Sequence, residues 1–158
     1  MIDEIDLHIL EILQEKARIP NAEVARQVGM APSAVLERIR KLEERGIIEG
    51  YEVRLNPACF HQGLSAFVFI ESNGTADETA RALAAIPSVQ EVHQVVGPDG
   101  FLVKVRTADH TTLARMLRQQ IQPLKGVKST RTQVVLETVK ETRRVDLKPA
   151  SHDIFKSP

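Results

Sequence analysis

Apolar residues recur at two different periods along this chain, and the change of period divides it. Ile5, Ile9, Ile12 and Leu13 fall at i, i+4, i+7 and i+8 with acids between them, which predicts an amphipathic helix. Val24, Ala25 and Val28 predict a second, shorter helix, and Val35, Ile39 and Leu42 a third. The run from Ile47 to Leu55 alternates as two short strands turned near Gly50. Three helices followed by a hairpin over residues 1–55 make a winged helix-turn-helix. Asn56-Pro57 ends it, and residues 56–63 read as a linker.

Beyond residue 63 the period shortens. Leu64 to Ile70 is a strand apolar on both faces. Thr75 and Glu78 form a capping box for a helix that runs to Ile86 and stops at Pro87. Val89 to Val96 is a second strand, Gly97-Pro98-Asp99-Gly100 a turn, and Phe101, Val103 and Val105 one face of a third strand. Asp109 caps a helix with Leu113, Met116, Leu117 and Ile121 on one side, and Val127 to Val139 is a long last strand. The order βαββαβ over residues 64–140 is a ferredoxin-like sandwich, so the fold class is α+β. Helices on one side leave the other sheet face bare, and a second copy is the simplest cover. Residues 141–158 read as a tail, either poorly ordered or an arm between copies.

The second and third helices have the chemistry of a DNA reader. Asn21 is placed to cap the second helix, and Glu23 sits near its positive end. Gly29 supplies the sharp turn, and Pro32 suits the first position of the third helix. Ala31 has no oxygen to offer as its cap, at a cost of roughly 0.5–2 kcal/mol against Ser or Thr. Turning about 100° per residue, the outer side of the third helix carries Ser33, Ala34, Glu37, Arg40, Lys41 and Glu44, with Arg38 on its flank. Such a helix enters the major groove. Arg38 is expected on phosphate and Arg40 on phosphate or a base edge. Ser33, Ala34 and Glu37 are expected at base edges, with Asn21 and Lys41 completing the surface. Glu37 accepts from a cytosine amino group or pairs with Lys41 at i+4, the pairing being the commoner arrangement. Arg54 on the wing either touches the DNA backbone or is simply solvated.

Charge first argues against this reading and then refines it. The 158 residues carry 21 basic and 21 acidic side chains, whereas affinity for nucleic acid rests largely on phosphate neutralisation. The charge is sorted, however. Asp3, Glu4, Asp6, Glu11 and Glu15 lie in a stretch without Lys or Arg. Residues 16–45 hold Lys16, Arg18, Arg26, Arg38, Arg40, Lys41 and Arg45 against Glu23, Glu37, Glu43 and Glu44. A module so balanced needs two or more copies on one DNA to bind well.

The remaining chemistry is sparse. One cysteine, Cys59, excludes an intrachain disulfide and is expected as a small buried apolar residue. His8, His61, His93, His110 and His152 show no metal-ligand spacing, so neither a metal nor another cofactor is expected. Of these His93 is the one to watch, with a strand-surface or interface role favoured. No phosphate-binding loop or nucleophile elbow appears, and the chain is not expected to be an enzyme. No apolar run is long enough to span a membrane and the N-terminus opens with acids, so a cytoplasmic protein is expected.

Ile2-Asp3-Glu4-Ile5-Asp6 with Ile9-Leu10, Glu23-Val24-Ala25, Arg38 to Glu43, Gly46 to Tyr51 and the Gly97 turn stand in a specific order. In that order the chain resembles the Lrp/AsnC (feast/famine) transcriptional regulators over roughly residues 2–140. The resemblance implies a sequence-specific DNA-binding regulator, acting on double-stranded DNA, whose C-terminal domain dimerises and often binds an amino acid or a related small metabolite. Dimers of that family commonly assemble further, into tetramers or octamers. The effector lies between subunits, which places Val96, Gly97, Pro98, Asp99 and Gly100 at its site. Two departures stand out. Gly100 occupies the position of a frequent family aspartate, with Asp99 one residue earlier, and Ala31 replaces a usual serine. The siroheme decarboxylases share this two-part build and are the enzyme alternative. Their Tyr-Asn-Leu-Trp-like segment is replaced here by Gly100-Phe101-Leu102-Val103. RNA-recognition domains share βαββαβ but stack bases on sheet aromatics. The third strand offers only Phe101, in an aliphatic row where burial is expected.

Overall fold

The computed structural model describes residues 2–73 and 76–147. Thr75, half of the expected capping box, and the tail beyond residue 147 lie outside the described residues. The chain forms two compact units, Met1–Val53 together with the segment from Glu141, and Arg54–Lys140. The chain therefore passes between them twice.

The first unit holds α1 (Glu4–Glu15), α2 (Asn21–Val28) and α3 (Pro32–Glu44). A reciprocal cap starts α1: the Asp3 carboxylate accepts from the Asp6 N–H at 2.8 Å, and the Asp6 carboxylate from the Asp3 N–H at 3.2 Å. Ile9, Ile12, Val24, Ala25, Val35 and Ile39 form the shared core, with Ile5, Leu13, Val28 and Ile48 packed at its margin. All but Ile48 are residues whose spacing defines the three helices. Gly29 ends α2 at φ 70°, in the left-handed region glycine enters without strain.

Two expectations fail in this unit. Asn21 does not cap α2. Pro20 is the capping residue, in extended conformation, and its carbonyl accepts from the N–H groups of Glu23 (2.9 Å) and Val24 (3.2 Å). Proline, with φ fixed near its helical value, starts the helix one residue early and turns Asn21 into its first helical residue. The hairpin expected between Ile47 and Leu55 is also absent, for no strand forms there. The N–H groups of Ile47 and Ile48 both reach back to the Leu42 carbonyl, at 2.9 and 3.2 Å, and so are lost to any ladder. Val53 is 84% exposed, and beyond Ile48 every residue of this arm to Leu55 is exposed, so no apolar face is buried there. The segment from Glu141 is tied to the same unit. The Gln14 side-chain amide donates to the Val145 carbonyl at 3.0 Å and accepts from its N–H at 2.6 Å, while Arg143 pairs with Glu52 at 2.7 Å.

The second unit opens with a 3-10 turn (Pro57–Phe60), capped by Asn56 through the Ala58 N–H. Cys59 is exposed on that turn, contrary to expectation, because the turn buries none of its residues. Then come β1 (Leu64–Ser72), α4 (Ala76–Ala84), β2 (Val89–Gln94), β3 (Phe101–Thr107), α5 (His110–Met116) and β4 (Val127–Val134). Asp109 caps α5 through the Thr112 N–H at 2.7 Å, and a π-helical turn (Leu117–Ile121) carries α5 onward. The strands order as β2-β3-β1-β4, every pair antiparallel.

Ala66, Val68 and Ile70 of β1 face Val105, Val103 and Phe101 of β3 on the helix side, and Leu83, Ile86, Leu113, Met116 and Ile121 close that core. Phe101 is 1% exposed there, so it offers no stacking platform. The opposite face carries Phe67 and Phe69 of β1, Leu102 and Lys104 of β3 and Arg131 of β4. β4 stops at Val134, short of the expected Val139. Its neighbour β1 begins at Leu64, and the last backbone bond in register is Val135 N–H to the Ser65 carbonyl at 2.9 Å.

Candidate nucleic-acid interface and ligand turn

α3 is anchored by three buried residues, Val35, Ile39 and Leu42, one turn apart. That anchoring fixes which side points away. Ser33, Glu37, Arg40 and Lys41 are exposed, and Ala34 is half-buried between them. Ala31 stands at the N-cap with no side-chain bond, and Pro32 follows as the first helical residue. The amide groups at this end of α3 are thus left unmatched by any side-chain cap, which favours an anion there. The outer surface pairs within itself: Arg40 with Glu44 at 2.9 Å, and Lys41 with Glu37 at 3.6 Å. Both are exposed i, i+4 pairs of small energetic worth, so either cation can exchange its partner for another anion at little cost.

Arg38 is placed differently. It turns toward α1, and its Nη1 lies 2.7 Å from both Asp3 Oδ2 and Asp6 Oδ1. The same two carboxylates cap α1, so one guanidinium joins the start of the first helix to the middle of the third. The Asp6 N–H, and then the Arg38 guanidinium, hold the Asp3 carboxyl below its ordinary value. The hydrogen bonds it donates to Asp3 and Asp6 in turn hold Arg38 more firmly charged. On α2, Arg26 and Gln27 both bond Glu23, whose carboxyl is lowered to about 2. Asn21 and Arg40 line a common groove of about 260 Å³ with Leu13, Leu36, Glu43 and Tyr51. The Tyr51 hydroxyl donates to Glu43 at 2.9 Å, and burial, then that carboxylate, raises its pKa to about 12.

In the second unit the Gly97–Gly100 turn is closed by the Val95 N–H on the Gly100 carbonyl, at 2.9 Å. Gly97 (φ 133°) and Gly100 (φ 50°) both lie in the region that favours glycine. Val96 is fully exposed. The Asp99 carboxylate accepts from Arg131 Nη2 at 2.9 Å, and the Arg131 guanidinium carbon stands 4.4 Å from the centre of the Phe69 ring. Ser72, against which Gly100 packs, has a buried hydroxyl with no hydrogen-bond partner among the described residues. Sequence reasoning found the turn but not Arg131 or Phe69, whose only signal was a first strand apolar on its second face as well. His93 pairs with Glu91 at 3.0 Å on the strand surface. Among the described residues no cluster of His, Cys, Asp or Glu is arranged to hold a metal ion, and no helix is long and apolar enough to cross a membrane.

Residues 2–49 match the family model described as winged helix-turn-helix DNA-binding, and residues 65–145 match that of the Lrp/AsnC ligand binding domain. The leucine-responsive regulatory protein of Escherichia coli strain K12 is 38% identical over 151 residues, covering 93% of this chain and 92% of that protein. Among solved structures, a transcriptional regulator of Neisseria meningitidis in complex with L-methionine superposes with a TM-score of 0.88. It has 27% identity and covers 93% of this chain and 97% of its own. A feast or famine regulatory protein of M. tuberculosis, complexed with L-methionine, has a TM-score of 0.84 at 31% identity and covers 92% of this chain and 99% of its own.

Proposed function

Since the chain belongs to the Lrp/AsnC family and is a DNA-binding transcriptional regulator, we propose that it reads its operator with the outer side of α3 and answers to an amino acid held by its second unit. The observation that carries the first half is the anchoring of α3 by Val35, Ile39 and Leu42, which leaves Ser33, Ala34, Glu37, Arg40 and Lys41 on the opposite side. Ser33, Ala34 and Glu37 lie toward the N-terminal end that meets base edges in such modules, and Arg40 and Lys41 bind phosphate or guanine. Asn21, at the start of α2 and on the groove shared with Arg40, is a further contact. Arg38 is committed to Asp3 and Asp6, and its role is to hold α3 against α1.

The second half rests on the family and on relatives that carry L-methionine or are named for leucine. Val96, Gly97, Pro98, Asp99 and Gly100 form the effector's wall, at a boundary between subunits. The sheet face bearing Phe67, Phe69 and Leu102 is the dimer surface, and dimers build a tetramer or octamer that places several balanced heads on one DNA. The protein acts in the cytoplasm, by binding and not by catalysis. An effector shifts regulation only by binding one assembly more tightly than another.

Recovery and sequencing of the genomic fragments bound by the intact protein tests the regulator reading. Discrete upstream fragments are expected, and uniform recovery would oppose sequence-specific reading. Titration of the twenty amino acids, followed by melting temperature and assembly size, tests the effector. Shifts with one or a few are expected, and none with any would reduce the second unit to a dimerisation element.

A further inference from the structure

No hairpin follows α3, but a segment from the far end of the chain is fixed beside it, within the same compact unit. The Gln14 side-chain amide holds Val145 at both backbone groups, at 2.6 and 3.0 Å, and Arg143 pairs with Glu52 at 2.7 Å. Between these anchors the Arg144 N–H donates to the Thr142 hydroxyl at 3.0 Å, which closes a local turn. The anchors adjoin the two walls of the groove that carries Asn21 and Arg40: Gln14 follows Leu13, and Glu52 follows Tyr51. The strap therefore borders the flank of α3 nearest Arg40. Burial does not explain its placement. Residues 141–146 are all exposed, Val145 at 64%, so hydrogen bonds and charge hold the strap rather than an apolar face. What it presents is a cation. The Arg144 side chain has no partner among the described residues. The cations of α2 and α3 differ, for Arg26, Arg38, Arg40 and Lys41 are each paired with a carboxylate.

We infer that residues 142–145 serve as a wing supplied from the far end of the chain, with Arg144 contacting a DNA phosphate beside the major groove that α3 enters. Gln14 and Glu52 are its positioning residues. The inference rests on the reading of α3 as the DNA-reading helix and adds a second element to it. An unpaired guanidinium already fixed in place breaks no ion pair and loses little freedom on meeting a phosphate. That suits a head whose other cations are balanced by neighbouring acids. A phosphate contact carries no base preference, so the strap adds affinity and leaves the choice of operator to α3.

The test is fluorescence anisotropy of the intact protein and its Arg144→Ala, Arg144→Lys and Gln14→Ala variants, over a range of salt. Each is measured with a recovered operator fragment and with an unrelated duplex of equal length, and melting temperature is the control for folding. Arg144→Ala should weaken both complexes by the same factor and lower the slope of log K against log salt by about one for each Arg144 on phosphate. Arg144→Lys, which keeps the charge, should restore the slope. Gln14→Ala keeps the charge but frees the strap, and should weaken both complexes about two- to tenfold. Unchanged affinity and slope in Arg144→Ala, with Arg40→Ala still weakened, overturns the strap and leaves the reading by α3 standing. A loss confined to the operator makes Arg144 a base reader and overturns the phosphate contact. Full binding by Gln14→Ala overturns the fixed placement. Recovery of no discrete fragment by the unaltered protein overturns the reading by α3 and the strap together.

Discussion

Removing the Arg38 side chain separates two roles that its position on α3 leaves open. Phosphate binding predicts lost affinity for DNA with unaltered stability. The clamp predicts lost stability. The Arg38 side chain is 28% exposed and bonds Asp6, whose side chain is 10% exposed, and Asp3, whose side chain is 51% exposed. Breaking a fully buried pair costs about 3–5 kcal/mol, and breaking an exposed one about 0–1. Here one carboxylate is nearly buried, but it keeps the Asp3 N–H, and the other is half in water. A loss of about 2 kcal/mol in Arg38→Ala follows from that intermediate placement. For a small unit this lowers Tm by roughly 10 °C. Scanning calorimetry of the intact protein should show the transition of the first unit moving by that amount and that of the second unit staying in place. Asp6→Asn should repeat most of the loss, and the double variant should lose much less than the sum. An unchanged Tm in Arg38→Ala, together with weaker DNA binding, would refute the clamp and return Arg38 to the phosphate backbone.

Three further outcomes are expected. The Asp3 carboxyl is held below its ordinary value in the folded state, so its contribution is complete above about pH 4 and is lost as pH falls through its lowered value. Melting temperature followed downward from pH 6 should therefore fall in that acid range, and less steeply in Arg38→Ala. Gly100→Ala places a methyl in the left-handed region, 3.6 Å from the Ile70 carbonyl and Ser72, and should destabilise the second unit by about 1–2 kcal/mol in denaturant titration. Gln14→Ala removes both bonds to Val145 and should cost about 1 kcal/mol; it should also speed proteolytic cleavage within residues 141–147.

What periodicity records, the sequence shows plainly. Ile9, Val24, Val35 and Ile39 mark the inner side of each helix, and Ala66, Val68, Phe101 and Val103 the helix-facing side of the sheet. The outer side of α3 follows by subtraction. What depends on partners far apart in the chain was not legible. Helical spacing puts Arg38 on a flank, but nothing local says that Asp3 and Asp6 wait there. Alternation between Ile47 and Leu55 suggests strands, yet the Leu42 carbonyl takes the N–H groups that strands require. Pro20 outranks Asn21 at α2 because a fixed φ and a free carbonyl start the helix without a side-chain cap. Arg131 reads as one charge among many until sheet register sets it beside Phe69 and within reach of Asp99.

The salt dependence of binding between the intact protein and a recovered operator fragment tests most directly whether α3 is the DNA-reading surface. Fluorescence anisotropy should give a weaker complex for Arg40→Ala, by about 1–3 kcal/mol if Arg40 forks onto guanine. If it binds phosphate, the slope of log K against log salt should be smaller by about one instead. Arg26→Ala, which removes a cation from α2 and not from the outer side of α3, should leave both unchanged. Equal affinity and equal slope for Arg40→Ala and the unaltered protein would contradict the account.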